Sequence, residues 1–116
     1  YTTVSEIVSK AEVFFDSIAI AVYDKDDENA NIIGAKAADT LLTISDISAS
    51  FVIGIHDGKV FISGRSIGDI NVQVVLEKMG GGGHITLAGA QIEGKTIEEV
   101  KNELINNINE YLIDSI

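Results

Sequence analysis

The chain has 116 residues, of which 46% are hydrophobic, and it contains neither cysteine nor proline. This length suffices for one domain with a real core, and the lack of cysteine excludes a disulfide framework and a thiolate metal site. The net charge of −10 argues against non-specific nucleic-acid binding, which needs a basic surface, yet it is compatible with a small anionic ligand at a local positive site.

The first half of the chain alternates between helical and strand patterns. Apolar residues recur at helical spacing from residue 4 to about residue 14, and Thr3 with Glu6 predicts a capping box at the start of that helix. The apolar run of residues 17–23 predicts a strand covered on both faces. Residues 31–44 predict a second helix, whose small residues, such as Gly34, would let it lie close to a neighbour.

The second half continues the alternation. The predicted elements are strands at 51–56 and 59–63, a short helix at 70–79, a strand at 85–92 and a helix after Thr96. Asp57-Gly58 is a strong signal for a two-residue hairpin turn between the first two of these strands. Thr96 and Glu99 predict a capping box. We therefore expect a single compact α/β domain in which helices cover a mixed sheet of about four or more strands, in the order α-β-α-β-β-α-β-α.

Four consecutive glycines, Gly80–Gly83, stand directly before His84. Glycine loses more backbone entropy on folding than any other residue, so such a run needs a reason. Successive N–H groups in a glycine turn can form an anion-binding nest, and a histidine can donate to phosphate. The alternative is a flexible connector, but the run lies between two apolar elements, which favours a loop that contacts a ligand.

Arg65 is the only arginine in the chain and lies at the end of a predicted strand. Its guanidinium can bind phosphate through two parallel hydrogen bonds, which lysine cannot do. An ordinary surface arginine is an equally good interpretation.

Two polar clusters give no functional signal. The acidic run Asp24–Glu28 has the charge of a calcium loop, but it lacks the glycine and the glutamate that such a loop requires, which favours a solvated loop. His56 flanks the predicted hairpin turn, where a polar residue needs no functional explanation. We predict no metal site and no catalytic residue in this chain.

The glycine–histidine motif of residues 81–84, together with Arg65-Ser66 and the helix that starts at residue 70, resembles the DHHA1 domain of DHH phosphoesterases. The resemblance covers residues 17–113 or so. Residues 65–84 are most similar to the end of the membrane-anchored cyclic di-AMP phosphodiesterases of Gram-positive bacteria. Related linear oligoribonucleases carry the same motif, so a linear substrate is an open alternative.

The resemblance implies residue roles, a cofactor and partners. Arg65 and Ser66 would clamp substrate phosphates, and Gly81, Gly82, Gly83 and His84 would contact the nucleotide. Manganese would be bound by an upstream DHH domain and not by this chain. Partners would be a cyclic dinucleotide or short oligonucleotide and that DHH domain, and the resemblance also allows a homodimer.

The chain begins with Tyr1 instead of methionine, which predicts a segment of a longer polypeptide. Residues 1–15 would then form a helix that links to the missing DHH domain, and residues 16–116 would form the nucleotide-binding domain. The chain alone would not be an enzyme. We expect a cytoplasmic domain without direct membrane contact, in a parent that could be membrane-anchored. A phosphoadenosine phosphatase lobe and a non-catalytic nucleotide-sensing module are the alternative functions.

Overall fold

A computed structural model describes residues 2–115 as one six-stranded mixed sheet with four helices. In chain order the elements are α1 (Thr2–Ser9), β1 (Glu12–Phe14), β2 (Ile18–Asp26), α2 (Ala30–Leu42), β3 (Ala49–His56), β4 (Lys59–Ser66), α3 (Val72–Glu77), β5 (Gly82–Gly83), β6 (Leu87–Glu93) and α4 (Ile97–Asp114). The strand order across the sheet is β1-β2-β3-β4-β6-β5. Only β2 and β3 pair in parallel.

Each face of the sheet is covered by its own pair of helices. Because side chains alternate along a strand, Phe51 and Ile53 of β3 pack with α3 and α4, whereas Val52 packs with α1 and α2. Strand β2 is buried from Ile18 to Ala21, as expected for a strand between two layers. We refer to the two sides as the α1/α2 face and the α3/α4 face.

The predicted α/β class and mixed sheet are confirmed, as are two local motifs. At the start of α4, Glu99 N–H donates to Thr96 Oγ1 over 3.1 Å, and Thr96 N–H donates to Glu99 Oε1 over 2.9 Å. These two bonds form the predicted capping box. The turn between β3 and β4 has φ of 50° at Asp57 and 75° at Gly58, as expected for a two-residue hairpin turn.

The prediction for the first helix is wrong at both ends. Thr3 lies inside α1, so it cannot form the predicted capping box with Glu6. The helix ends at Ser9, and residues 12–14 instead form β1, which pairs with β2. Phe15 and Asp16 have φ of 53° and 72°, a left-handed turn that reverses the chain and creates this hairpin.

Two further strand boundaries differ from the prediction. Residues 82–83 form the short edge strand β5, which the glycine run did not predict, because glycine disfavours strands on its own. Strand β2 extends to Asp26, so the first part of the acidic run is a strand rather than a solvated loop. Helix α1 packs against α2, with Ile7 only 3% exposed.

The carboxylates that follow β2 have protein partners. Asp26 Oδ1 lies 2.8 Å from His56 Nδ1, and this hydrogen bond lowers the pKa of Asp26. Asp27 accepts a hydrogen bond of 2.6 Å from the Tyr23 hydroxyl and one of 2.8 Å from the Asn29 N–H. The bond to Asp27, together with burial, raises the pKa of Tyr23 to about 12. These contacts fix the segment that leads into α2.

None of the helices within residues 2–115 has both the length and the apolar character needed to cross a lipid bilayer.

Candidate functional site

A groove lies on the α1/α2 face, where the cover of the sheet is incomplete. Helix α2 packs on β3 and β4, but no helix among the described residues covers β6 on this face. Leu87, Gly89 and Gln91 of β6 are therefore exposed, whereas Ala88, which points to the α3/α4 face, is 2% exposed. The groove runs between α2 and this uncovered strand.

The two ends of the groove carry the two features that the sequence singles out. One end is lined by Asn31, Phe61, Gly80, Gly81, Gly82, Gly89, Ala90 and Gln91. The other is lined by Asn31, Ile32, Ala35, Lys36, Asp39, Ser63, Arg65, Leu87, Ala88 and Gly89. Asn31 and Gly89 line both ends, so the two ends adjoin. The fold thus brings Arg65 and the glycine run to one surface.

Arg65 is held at the base of the groove by two hydrogen bonds. Its Nε donates to Asp39 Oδ1 over 2.7 Å, and its Nη1 donates to the Gly64 carbonyl oxygen over 2.9 Å. The Arg65 side chain is 13% exposed, whereas that of Asp39 is 65% exposed. The guanidinium is therefore oriented by its Nε side, and its Nη2 has no acceptor within residues 2–115. This leaves part of the fork available to an anion.

Ser66 does not line the groove. It is paired with Ala49 and points to the α3/α4 face, where it is 5% exposed. Its Oγ accepts a hydrogen bond of 2.9 Å from the Gly68 N–H. The serine that lies beside Arg65 on the groove face is Ser63, two residues earlier, which sequence reasoning missed. The two-residue period of strands was the signal that could have identified it.

The glycine run begins with a helix stop. The Gly80 N–H donates to the Glu77 carbonyl oxygen over 3.1 Å, and the Gly81 N–H donates to that of Leu76 over 2.9 Å. With φ of 83° at Gly80, this is a Schellman motif, in which a left-handed residue ends the helix. Local structure thus explains Gly80. It is the one glycine that this run has in addition to the three glycines of the family motif.

Two of the remaining glycines allow a close approach between β5 and β6. A Cβ on Gly81 would overlap the Gly89 carbonyl oxygen and lie 2.7 Å from the Ala90 Cβ. A Cβ on Gly83, which has φ of 147°, would overlap the Leu87 carbonyl oxygen and lie 2.6 Å from the Ala88 Cα. Both positions therefore require glycine for packing, whether or not a ligand binds.

Gly82 is the exception. A Cβ there would meet no atom within 4 Å, and its φ is not in the left-handed region. It is exposed and lines the glycine end of the groove. The N–H groups of Gly81 and His84 are donated to the Leu76 and Leu87 carbonyl oxygens, so they are not free for a nest. Of the four glycines, Gly82 is the one that neither close packing nor a left-handed φ explains.

His84 lies one residue beyond β5, and its side chain is exposed. Its N–H donates to the Leu87 carbonyl oxygen over 2.7 Å, which fixes its backbone against the start of β6. The imidazole is therefore presented to solvent near the strand edge, and His84 is not among the residues that line either end of the groove.

No cluster of three or more histidine, cysteine, aspartate or glutamate side chains with metal-binding geometry occurs in the described part of the chain.

Comparison with known proteins relates this fold to a family. The family model described as "DHHA1 domain" matches residues 12–114. Over 112 residues the chain is 44% identical to the cyclic-di-AMP phosphodiesterase PdeA of Listeria monocytogenes and 43% identical to the cyclic-di-AMP phosphodiesterase GdpP of Geobacillus thermodenitrificans. Each of these alignments covers 96% of the chain and 17% of the relative, so the chain spans about a sixth of those proteins.

Solved structures share the fold at lower sequence identity. An exopolyphosphatase-related protein from Bacteroides fragilis superposes with a TM-score of 0.81 at 19% identity, covering 95% of this chain and 34% of that one. The C-Ala domain of alanyl-tRNA synthetase from Aquifex aeolicus superposes with a TM-score of 0.65 at 18% identity, covering 85% of this chain and 96% of that domain. The same fold therefore occurs both in an exopolyphosphatase-related protein and in a domain of an aminoacyl-tRNA synthetase.

Proposed function

The chain belongs to the DHHA1 domain family of DHH phosphoesterases, and on that premise we propose that it is the substrate-binding lobe of a phosphodiesterase that hydrolyses cyclic di-AMP. The identity of 36–44% to three cyclic-di-AMP phosphodiesterases supports this choice of substrate. In this proposal the domain works in the cytoplasm, as one part of a longer protein.

The observation that carries the proposal is the groove on the α1/α2 face, whose two ends adjoin at Asn31 and Gly89. It combines a positioned guanidinium at one end with a strand edge free of side chains at the other. Arginine matches the geometry of a phosphate group, and an exposed glycine backbone lets a nucleotide approach closely. Ile32 and Leu87, which are 58% and 50% exposed, supply apolar surface at the arginine end.

We assign the following roles within this groove. Arg65 binds a substrate phosphate through the part of its guanidinium that Asp39 leaves free. Gly82, with the backbone on either side of it in Gly81 and Gly83, contacts the nucleotide where no side chain intervenes. His84 donates to the substrate from the end of β5. These groups bind and orient the phosphodiester, so they act by positioning the substrate.

Manganese belongs elsewhere in the proposed enzyme. Because residues 2–115 lack a metal-binding cluster, the ion would be held by a DHH domain in the longer protein, where it would supply a nucleophilic hydroxide. The DHHA1 lobe would close the cleft from the other side.

The test uses the full-length protein that contains this chain. Hydrolysis of cyclic di-AMP is measured with added manganese, beside linear pApA and the guanine analogue cyclic di-GMP. We expect the highest kcat/KM with cyclic di-AMP, and His84→Ala should lower it while the melting temperature stays nearly unchanged, because the imidazole is exposed. Turnover of pApA alone would instead support a linear oligoribonuclease, and binding without any turnover would support a nucleotide-sensing module.

A further inference from the structure

The two ends of the groove differ in their chemistry. The arginine end carries three charged side chains, among them Arg65. Of the described residues that line the glycine end, none carries a charge: besides glycine and alanine, this end has one aromatic ring, Phe61, and two amides, Asn31 and Gln91. An aromatic ring with neutral amides is suited to a heterocyclic base, whereas a phosphate requires positive charge.

The sheet register places the ring and one of the amides side by side. Phe61 of β4 lies directly opposite Gln91 of β6. Phe61 points into the groove, because its neighbours Val60 and Ile62 point into the core on the α3/α4 face. Side chains that lie opposite each other on one face of an antiparallel pair have Cβ atoms about 4.5–5.5 Å apart. The ring and the Gln91 amide can therefore contact the same bound group.

Gln91 has no task in the packing of the domain. Its side chain is exposed and forms no hydrogen bond to another group within residues 2–115. The other glutamine of the chain, Gln73 on α3, differs, because its Nε2 donates to Glu77 Oε2 over 3.4 Å. The amide of Gln91 thus offers both a donor and an acceptor to a ligand.

The distance between the two ends suits a single nucleotide. Phe61 and Arg65 are four residues apart on β4 and share a face, so their Cα atoms are about 13 Å apart. Between them, Ser63 lies opposite Gly89 of β6, which has no side chain to fill the space above the strand. A nucleotide whose phosphate lies at Arg65, as in the function proposed above, can therefore extend its base toward Phe61 and Gln91.

We propose that the glycine end is a subsite for the adenine base, in which Phe61 stacks on the base and Gln91 determines its identity. The Gln91 amide would donate to adenine N7 and accept from the N6 amino group. Guanine and hypoxanthine carry an oxygen in place of that amino group, so the amide oxygen would face a second acceptor. The inference rests on the proposed function for the position of the phosphate. It concerns binding alone, and no bond is formed or broken.

The test compares Gln91→Leu with its matched control Gln73→Leu in the full-length protein with manganese present. Dissociation constants are measured for AMP and for IMP, whose base has an oxygen in place of the amino group. We expect the parent to bind AMP about tenfold more tightly than IMP, and Gln91→Leu to bind AMP about tenfold more weakly with little change for IMP. Gln73→Leu should keep the parental ratio. The melting temperature of Gln91→Leu should not change, because the side chain is exposed.

A second variant separates stacking from recognition of the base edge. Phe61→Leu removes the ring but keeps an apolar side chain, so AMP and IMP should both bind about fivefold more weakly or worse, with the parental ratio between them. Binding is measured well below the melting temperature of each variant, so a loss of stability does not affect the result. Parental affinity for both nucleotides in Phe61→Leu would show that no base stacks at this position and would overturn the inference.

The inference and the proposed function can fail separately. Equal affinity of the parent for AMP and IMP, or a parental ratio in Gln91→Leu, would overturn the inference, while hydrolysis of cyclic di-AMP would still support the function. If the parent does not hydrolyse cyclic di-AMP but prefers AMP to IMP through Gln91, the proposed function is wrong and the adenine subsite is supported. If the parent binds neither nucleotide, both are overturned.

Discussion

At the scale of single residues, the glycine run separates into positions with different tasks. Gly81 lies against the backbone of β6, whereas Gly82 lies open to the groove. A methyl group at the first position must displace backbone, and a methyl group at the second enters only solvent or the space of a ligand. The pair therefore distinguishes a folding requirement from a binding requirement.

We predict opposite results for alanine at these two positions in the full-length protein. Gly81→Ala should destabilise the domain by about 1–3 kcal/mol, because an overlap with backbone must be relieved. Gly82→Ala should leave the melting temperature nearly unchanged and raise KM for the nucleotide. Thermal melting and steady-state kinetics on both variants check this. If Gly82→Ala turned over substrate like the parent, the glycine end would not contact the ligand.

Arg65 allows a second test of the groove. Arg65→Lys keeps the positive charge but loses the fork, so kcat/KM should fall about tenfold to a hundredfold, the equivalent of roughly 1.5–3 kcal/mol. Circular dichroism should be unchanged, since lysine fits the same partly buried stem. Parental kinetics in this variant would show that the guanidinium serves only its ion pair with Asp39.

At the scale of elements, the segment before α2 is fixed by the bond between Tyr23 and Asp27. Strand β2 carries the hydroxyl, and Asp27 also accepts from the Asn29 N–H just before the helix begins. Helix α2 forms one wall of the groove, so the position of this segment determines where Lys36 and Asp39 lie.

This contact predicts a pH dependence of stability at alkaline pH. The pKa of Tyr23 is raised to about 12 in the folded state from an ordinary value of 10, which means that folding favours the protonated hydroxyl. Its contribution is complete below pH 10 and is lost as the pH rises toward 12. Urea unfolding at pH 8, 10 and 11 should show a steeper loss of stability for the parent than for Tyr23→Phe. Parallel curves would contradict the assignment.

Elements also show how far the sequence could predict this fold. Helical periodicity, the Asp57-Gly58 turn and the Thr96 capping box are local signals, and the structure confirms them. Strands β1 and β5 have only three and two residues, too few for a period to be recognised, and they form because a partner strand pairs with them. Strands that form through tertiary pairing of this kind cannot be predicted from the local sequence alone.

The candidate site likewise has features that the sequence predicted and features that it did not. Arg65 and the glycine run attract attention by residue type, so sequence reasoning found them. The groove that joins them exists because α2 covers β4 and stops short of β6, which depends on how the helix packs. Ser63 could have been preferred to Ser66 from the alternation along β4, since residues 63 and 65 share a face and residue 66 does not.

At the scale of the whole molecule, residues 2–115 form a groove but contain no cluster of three or more potential metal ligands. We predict that the purified 116-residue chain hydrolyses neither cyclic nor linear di-AMP with added manganese, and binds manganese only weakly, because residues 2–115 hold no cluster of metal ligands. Product formation above a metal-only blank is the measurement, and any such excess would refute the prediction.

The Schellman stop and the close approach of β5 to β6 have a consequence for how this family is compared across genomes. A homologue that had lost nucleotide binding would still be under selection to retain Gly80, Gly81 and Gly83, because replacing them would destabilise the fold. An intact glycine run is therefore a poor marker of retained activity. Substitution of Gly82 in a homologue that retains the other three glycines would instead indicate that ligand binding has been lost.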